Sequence, residues 1–465
     1  MNMINVRRLT VMTFLGAGML SDISAQDFSL QADTLNEARL PAQWDLQSCI
    51  DYALEQNITI RKNRVTAEST QIDVKTAKAA LFPSLSFSTS QQVVNRPYQE
   101  TSSRVSGSEI ISSNSKTSYN GNYGLNASWT IYNGSKRLKT LKQERLNNQV
   151  AELDVATSEN TIKESIAQIY IQILYAAESV RVNENTLQVS IAQRDRGQEL
   201  LNAGSIAKSD FAQLEAQVST DRYQLVTAQA TLQDYKLQLK QLLELDGENE
   251  MNVYLPKLSD ENVLAPLPAK KDVYVSALAI RPEIEASKLN VEASELGIDI
   301  AKSSYFPTIS LSAGIGTNHT SGSDFTFGEQ VKNGWNNSIG LSVSVPIFNN
   351  RQTKSAVQKA KLQRETDMLS LLDEQKALYK TIESLWLDAN SAQQRYAAAN
   401  EKLRSTQISY DLISEQFNLG MKNTVELLTE KNNLLQAQQE QLQAKYMAIL
   451  NTQLLKFYQG DKLTL

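Results

Sequence analysis

One cysteine and one histidine in 465 residues exclude most side-chain chemistry at once. Cys49 has no second cysteine to form an intramolecular disulfide, and it stands well inside the chain, away from any cleavage point at which a lipid could be attached. With His319 as the single imidazole, a His/Cys metal centre, a Ser/His/Asp triad and a Cys/His pair within one chain are nearly excluded. Carboxylate chemistry alone stays open, no cofactor is expected, and no constellation supports an enzyme. Gly314-Ile315-Gly316 is a lone glycine pair inside a strand pattern, too weak for a nucleotide site. Also lacking is any run of the ~18 to 20 apolar residues that a membrane helix requires. Positive charge is not in excess: the formal net charge is −5, which argues against a nucleic-acid partner.

What is present begins at the N-terminus. Arg7 and Arg8 precede an apolar run from Val11 to Leu20, and small residues follow up to Ser24, Ala25 and Gln26. This is the layout of a cleavable secretory signal over residues 1–25, cut after Ala25. The leader holds two Arg and one Asp, so its removal leaves the chain acidic.

The remainder is duplicated. Ser48 to Pro83 and Asp272 to Pro307 are both helical in pattern, and both end in Phe-Pro, at Phe82-Pro83 and Phe306-Pro307. Further on, Ile131-Tyr132-Asn133-Gly134 answers Ile347-Phe348-Asn349-Asn350, and that spacing persists to the end of each half, with Asn202 and Gly204 matching Asn418 and Gly420. The first repeat spans 26–245, with strands over about 84–94 and 120–132, a long helix 134–201 and a helix 206–245. A linker occupies 246–271. The second repeat spans 272–461, with strands over about 308–317 and 337–348, a long helix 351–417 and a helix 422–459.

In the long helices, Ile162, Ile166, Ile169, Ile173, Ala176, Val180 and Leu187 are answered by Leu378, Ile382, Leu385, Ala389, Ala392, Tyr396 and Leu403. The second set follows the 3.5-residue repeat of a coiled-coil seam. Each run, at ~1.5 Å per residue, makes a rod of about 100 Å. The seams are thin and rich in Ala, with polar residues on the other faces. That suits the wall of a hollow tube, although an ordinary solid coiled coil would read the same.

The segments between the helices decide the class. Leu85, Phe87, Thr89, Gln91 and Val93 alternate with small polar residues, as do Tyr123, Leu125, Ala127, Trp129 and Ile131. The second half repeats this with Ile309, Leu311, Ala313, Ile315, then Ile339, Leu341, Val343, Val345 and Ile347. Each is about 10 residues long, as a tilted membrane strand requires, with one apolar and one polar face. The polar loops Asn95 to Tyr119 and Asn318 to Trp335 suit the exterior loops of such barrels. Four strands cannot close, and an open edge in lipid costs several kcal/mol per unpaired group. If these strands lie in a membrane, copies must therefore pool them, a dimer giving eight and a trimer twelve; the alternative is a soluble four-stranded sheet packed on helices.

The ordered set of duplicated halves, Phe-Pro elbows at Pro83 and Pro307, aromatic-Asn elbows at Tyr132 and Phe348, and Gly turns resembles the TolC family of outer-membrane efflux and secretion ducts across essentially the whole mature chain. The resemblance implies a mostly α protein with a transmembrane β part: duplicated helix-strand-strand-helix-helix halves that trimerise into an α-barrel tunnel carrying a twelve-stranded barrel. It implies a homotrimer in the outer membrane of a Gram-negative bacterium, extending into the periplasm, in contact with membrane lipid. It further implies docking with a periplasmic membrane-fusion adaptor and an inner-membrane pump of the RND or ABC type, for efflux of small toxic compounds or for type I secretion.

By the same resemblance, the turns Gly204, Ser205 to Asp210 and Gly420, Met421 to Glu426 are periplasmic tips that meet the adaptor. Asp195 and Asp411 are repeat mates about two and a half turns before each glycine, where six acids in a trimer would repel and ring the tunnel mouth. Arg194, Arg196 and Arg404 are candidates for bridges that hold it closed. One departure is Ser414, where relatives often carry a second acid. The competing readings are a secreted structural coiled coil and a periplasmic adaptor; the second is disfavoured because adaptors centre on one hairpin and this chain has two.

Overall fold

The computed structural model describes residues 41–98, 102–106, 109–113, 116–246, 251–256, 263–321, 323 and 325–464; the leader expected over 1–25 lies outside them. The chain divides into two units. Of the smaller, Met1–Trp44 with Asn252–Tyr254, the described part is a parallel bridge between Trp44 and Val253. The Trp44 N–H donates to the Asn252 carbonyl and the Tyr254 N–H to the Trp44 carbonyl, each at 2.8 Å. All that follows concerns the larger unit, Asp45–Met251 with Leu255–Leu465.

Its first half runs α1 (Leu46–Gln56), α2 (Ile58–Ala79), β1 (Ser84–Asn95), a small hairpin of β2 (Ser102–Ser106) and β3 (Glu109–Ser113), β4 (Thr117–Asn133), α3 (Lys136–Asn202) and α4 (Lys208–Leu242). The second runs α5 (Lys270–Ile280), α6 (Pro282–Ser303), β5 (Thr308–Thr320), α7 (Phe327–Asn333), β6 (Asn336–Ser344), α8 (Gln352–Asn418) and α9 (Thr424–Gln459). The repeat seen in the sequence recurs in these bounds: Leu46 and Gln56 stand where Lys270 and Ile280 stand in the second half, and Lys136 and Asn202 where Gln352 and Asn418 do.

Four local features differ from the sequence reading. The leading helix of each half is two helices, broken at Asn57 and at Arg281. The Asn57 side chain caps α2 by accepting the Thr59 N–H at 2.9 Å, and Pro282 opens α6 at the first helical position, where a missing N–H does no harm. The strand expected over 337–348 stops at Ser344, because Pro346 has no N–H for a ladder. The loop expected over 95–119 contains the β2–β3 hairpin. The one expected over 318–335 contains α7, whose start is a capping box: the Thr326 hydroxyl accepts the Glu329 N–H at 3.4 Å and the Glu329 carboxylate accepts the Thr326 N–H at 2.8 Å.

The main sheet is antiparallel in the order β1-β4-β5-β6. Strands pass to long helices through two consecutive left-handed residues, Gly134 and Ser135 in one half, Asn350 and Arg351 in the other. Gly134 is obligatory in this setting, since a Cβ there would lie 2.7 Å from the Ser303 carbonyl oxygen, and the Ser303 hydroxyl donates to the Gly134 carbonyl at 2.9 Å. The core follows the helix seams: Ile162, Ile166, Ile173, Ala176 and Leu187 are buried in α3, and Leu378, Ile382, Ala389, Ala392 and Tyr396 in α8. Val273 and Ala277 of α5, Ile284 of α6 and Leu455 of α9 join Leu378, Ile382 and Ala389 in one cluster.

Candidate functional site

Residues directly opposed in a ladder share a face, so the registers define two surfaces across all four strands. Leu85 faces Ala127, Phe87 faces Leu125, Leu125 faces Ile315, Trp129 faces Leu311 and Leu311 faces Leu341. These form one apolar surface, and it is uncovered: Phe87 is 68 % and Ile339 84 % exposed. The other surface is small and polar. On it the Ser84 and Ser128 hydroxyls bond at 2.8 Å, and the carboxamides of Asn122 and Asn126 donate to Ser90 and Ser88. Among the described residues, β1 pairs only with β4 and β6 only with β5, so each end of the sheet presents an unpaired edge. The Pro83 elbow precedes β1 and the Tyr132 elbow is the last residue but one of β4, while the Pro307 and Phe348 elbows precede β5 and follow β6. At the first of them, the Trp129 indole N–H donates to the Leu81 carbonyl at 2.8 Å.

At the opposite ends of the long helices, Gly204 and Gly420 carry φ of 70° and 74°. In both turns the glycine N–H and the next N–H reach back to the helix, from Ser205 to the Leu200 carbonyl and from Met421 to the Gln416 carbonyl at 2.8 Å, which is the Schellman arrangement. The helices that follow are started by the acids picked out in the sequence. The Asp210 carboxylate accepts the Ala207 N–H at 3.3 Å. That of Glu426 accepts the Asn423 N–H at 3.2 Å while the Asn423 side chain accepts the Glu426 N–H at 2.9 Å. Lys422 also bonds Glu426 at 2.6 Å, and this contact leads those that hold its carboxyl below the usual range. Ser205 and Met421 are exposed.

Asp195 and Asp411 stand on α3 and α8. These helices meet just beside the two acids, where the Gln193 carboxamide donates to the Tyr410 hydroxyl at 2.8 Å. Arg194 clasps its neighbour Asp195 at 2.5 Å, Arg196 pairs with Glu199 one turn on at 2.7 Å, and Asp411 accepts from Gln407 at 2.9 Å. The arginine contacts therefore run along their own helix, and Arg404 has no ion pair among the described residues.

Two charged clusters were not foreseen. Lys431 of α9 bonds both Asp221 of α4 and the Ser190 hydroxyl of α3, and Asp221 also accepts from Gln217 at 2.9 Å. Burial outweighs the carboxylate and pulls the lysine pKa down. Both residues lie on helix seams, Asp221 after Leu214 and Val218 and Lys431 between Leu427 and Leu434; a charge at a seam position was the signal. In the second cluster, Arg281 bonds Glu164 at 2.8 Å and lies 3.6 Å from the centre of the Tyr458 ring. Burial pushes the Glu164 carboxyl up, against the lowering contacts of Arg281 and Tyr458. Among the described residues no group of His, Cys, Asp and Glu could hold a metal ion, and no helix is long and apolar enough to cross a membrane.

Comparison with known proteins fits this geometry. The family model described as outer membrane efflux protein matches residues 49–244 and 273–460. Outer membrane efflux protein BepC of Brucella suis biovar 1 is 26 % identical over 294 residues, 63 % of this chain and 61 % of that protein. Outer membrane protein TolC of Escherichia coli K12 is 24 % identical over 341 residues, 70 % of this chain and 66 % of that protein. The chain thus matches just under two thirds of the length of these relatives. A solved structure of CusC, described in terms of folding and transmembrane channel formation, superposes with a TM-score of 0.76 at 19 % identity, covering 90 % of this chain and 92 % of that one. With both halves matched by one family model, the chain belongs to the outer membrane efflux protein family.

Proposed function

We propose that three copies of this chain form a passive duct through the outer membrane and periplasm, working with a periplasmic adaptor and an inner-membrane pump of the RND or ABC type. One observation carries this reading: a four-stranded sheet with one continuous apolar face, one small polar face and an unpaired edge at each end. In lipid such a sheet is stable only when its edges are paired. Three sheets joined β6 to β1 give twelve strands, with the apolar face to lipid and the polar face to the lumen. The same closure gathers three copies of α3, α4, α8 and α9 into one tunnel wall of twelve helices. The duct has no catalytic role. Its cargo is small toxic compounds in an efflux system or polypeptide in a type I secretion system, chosen by the pump.

In this reading, the turns at Gly204–Asp210 and Gly420–Glu426 meet the adaptor. Asp195 and Asp411 line the periplasmic mouth, with Arg194, Arg196 and Arg404 beside them. The test is reconstitution of the mature chain. A heat-modifiable trimer that needs detergent and conducts in planar bilayers is expected, and a water-soluble monomer without conductance overturns the reading. Ser205→Glu and Met421→Glu are expected to abolish export in cells while trimers persist, and unaffected drug tolerance removes the adaptor assignment.

A further inference from the structure

We infer that the segment from Phe325 to Trp335 lies against the outside of the barrel and seats its aromatic side chains in the outer leaflet of the membrane. The inference rests on the barrel reading above and assigns a surface that the reading leaves open. A loop that follows an exterior strand end can fold over the lumen, stand free in water or lie back on the lipid side; the contacts of this one select the last.

The strand register supplies the direction. Ile309, Leu311, Ala313, Ile315, Thr317 and His319 alternate onto one face of β5, and their cross-strand partners Trp129, Ala127, Leu125, Tyr123 and Gly121 extend that face onto β4. It is the apolar face. The segment docks on its outer end: the Thr317 hydroxyl donates to the Val331 carbonyl at 2.6 Å, and the Phe327 ring meets His319 edge to face with centroids 5.0 Å apart. His319 is in turn 5.1 Å from the Tyr119 ring and stacked 5.8 Å from that of Tyr123. Gly121, opposite His319, makes the room, since a Cβ there would lie 2.2 Å from the imidazole Cε1. The Thr320 N–H also donates to the Gln330 side chain, at 2.8 Å.

Depth supplies the occupant. Ten residues separate Ile309 from His319, and at ~3.3 Å per residue and ~40° tilt they climb about 25 Å, the height of the apolar band of such barrels. The His319 collar therefore sits at the upper boundary of that band, where aromatic side chains concentrate in the headgroup region. Beside it the segment leaves Phe325 58 %, Phe327 42 % and Trp335 57 % exposed. This apolar surface is continuous with the lipid-facing wall, so lipid covers both. Laid outward, the segment does not itself cover the exterior mouth of the duct.

The test uses full-length trimers in phosphatidylcholine vesicles, with an environment-sensitive fluorophore on Phe325→Cys and, separately, on Trp335→Cys. Cys49 is buried and stays unlabelled in folded protein. A fluorophore on Ile339→Cys reports the lipid-facing wall. Nitroxide placed near the lipid headgroup is expected to quench both loop probes several-fold more than nitroxide near the chain end, with little quenching by aqueous iodide. Iodide quenching of both loop probes without lipid quenching, while the Ile339 probe remains lipid-quenched, overturns the inference alone. Loss of lipid quenching at Ile339 as well overturns the barrel reading from which it starts.

Discussion

Lys431 of α9 and Asp221 of α4 form an ion pair that water does not reach, their side chains 3 % and 1 % exposed. The pair joins the hairpin of the first half to the last helix of the second, with the Ser190 hydroxyl of α3 as a third member. It breaks the internal repeat: Thr406, Ala437 and Glu215 stand at the positions equivalent to Ser190, Asp221 and Lys431. A buried pair contributes little net stability compared with apolar residues of the same size, but removing one partner leaves the other charged and unsolvated. Because each partner sits at one height on its helix, the contact is made in only one register of α9 against α3 and α4.

Lys431→Met is accordingly expected to be severe and the double change Lys431→Met with Asp221→Leu mild. The single variant should lose about 3–5 kcal/mol, while the double variant should recover most of that. Apparent melting temperatures of detergent-solubilised trimers measure the difference. Equal losses in the single and double variants would show that the contact is not a coupled pair.

Acidity should act on Glu164 in the opposite sense from most carboxylates. Its pKa is raised in the fold above the ordinary glutamate value of 4.5, chiefly by burial. The folded state therefore binds more protons than the unfolded state between 4.5 and the raised value. The contribution from this group is fully present below 4.5 and is lost as pH rises through the raised value. Trimer stability scanned upward from pH 4.5 should fall more steeply in the native chain than in Glu164→Gln, and parallel curves would refute the assignment.

Two left-handed glycines should differ in what they tolerate. At Gly204 nothing lies within 4 Å of an added Cβ, so Gly204→Ala costs only the backbone strain of about 1–2 kcal/mol, and Gly204→Asn costs less because Asn accepts this conformation. At Gly134 the Ser303 carbonyl oxygen blocks the same space, so Gly134→Asn should remain strongly destabilising. Its repeat mate Asn350 already adopts φ 52°, which isolates the neighbouring backbone, not the torsion, as the constraint. Melting temperatures of the three variants check the order.

Much of this architecture was legible in the sequence, for physical reasons that can be traced. The seams at Ile162–Leu187 and Leu378–Leu403 and the alternation at Ile309–Ile315 each repeat a period imposed by geometry, so the helices and strands could be read from it. The breaks at Asn57 and Arg281 were missed although Asn at a cap and Pro282 after Arg281 both signalled them, because the apolar pattern continues across each break. The α7 helix lay hidden in a Ser- and Gly-rich stretch, where Thr326 and Glu329 supplied the only start signal. Charges at seam positions mark Asp221 and Lys431 as needing a partner, but Lys431, Asp221 and Ser190 meet from three helices and Arg281 reaches Glu164 across the fold, so no local pattern says which partner each takes.

The acids of the tips and those above them should separate in their effects. Glu426 and Asp210 are engaged in starting α9 and α4 through backbone N–H groups, so Glu426→Ala should loosen the turn. A gain in protease sensitivity near Met421 would report this. Among the described residues, Asp195 and Asp411 accept only from side chains of their own helices, Arg194 and Gln407, and no helix start depends on them. Asp195→Ala with Asp411→Ala should therefore leave trimer stability unchanged. If six carboxylates ring the mouth, their loss should weaken cation preference and block by multivalent cations in planar bilayers, because like charges around an aperture concentrate counter-ions there. Unchanged conductance, selectivity and block in the double variant would remove these two residues from the mouth, while the same changes in Glu426→Ala would move the ring to the tip itself.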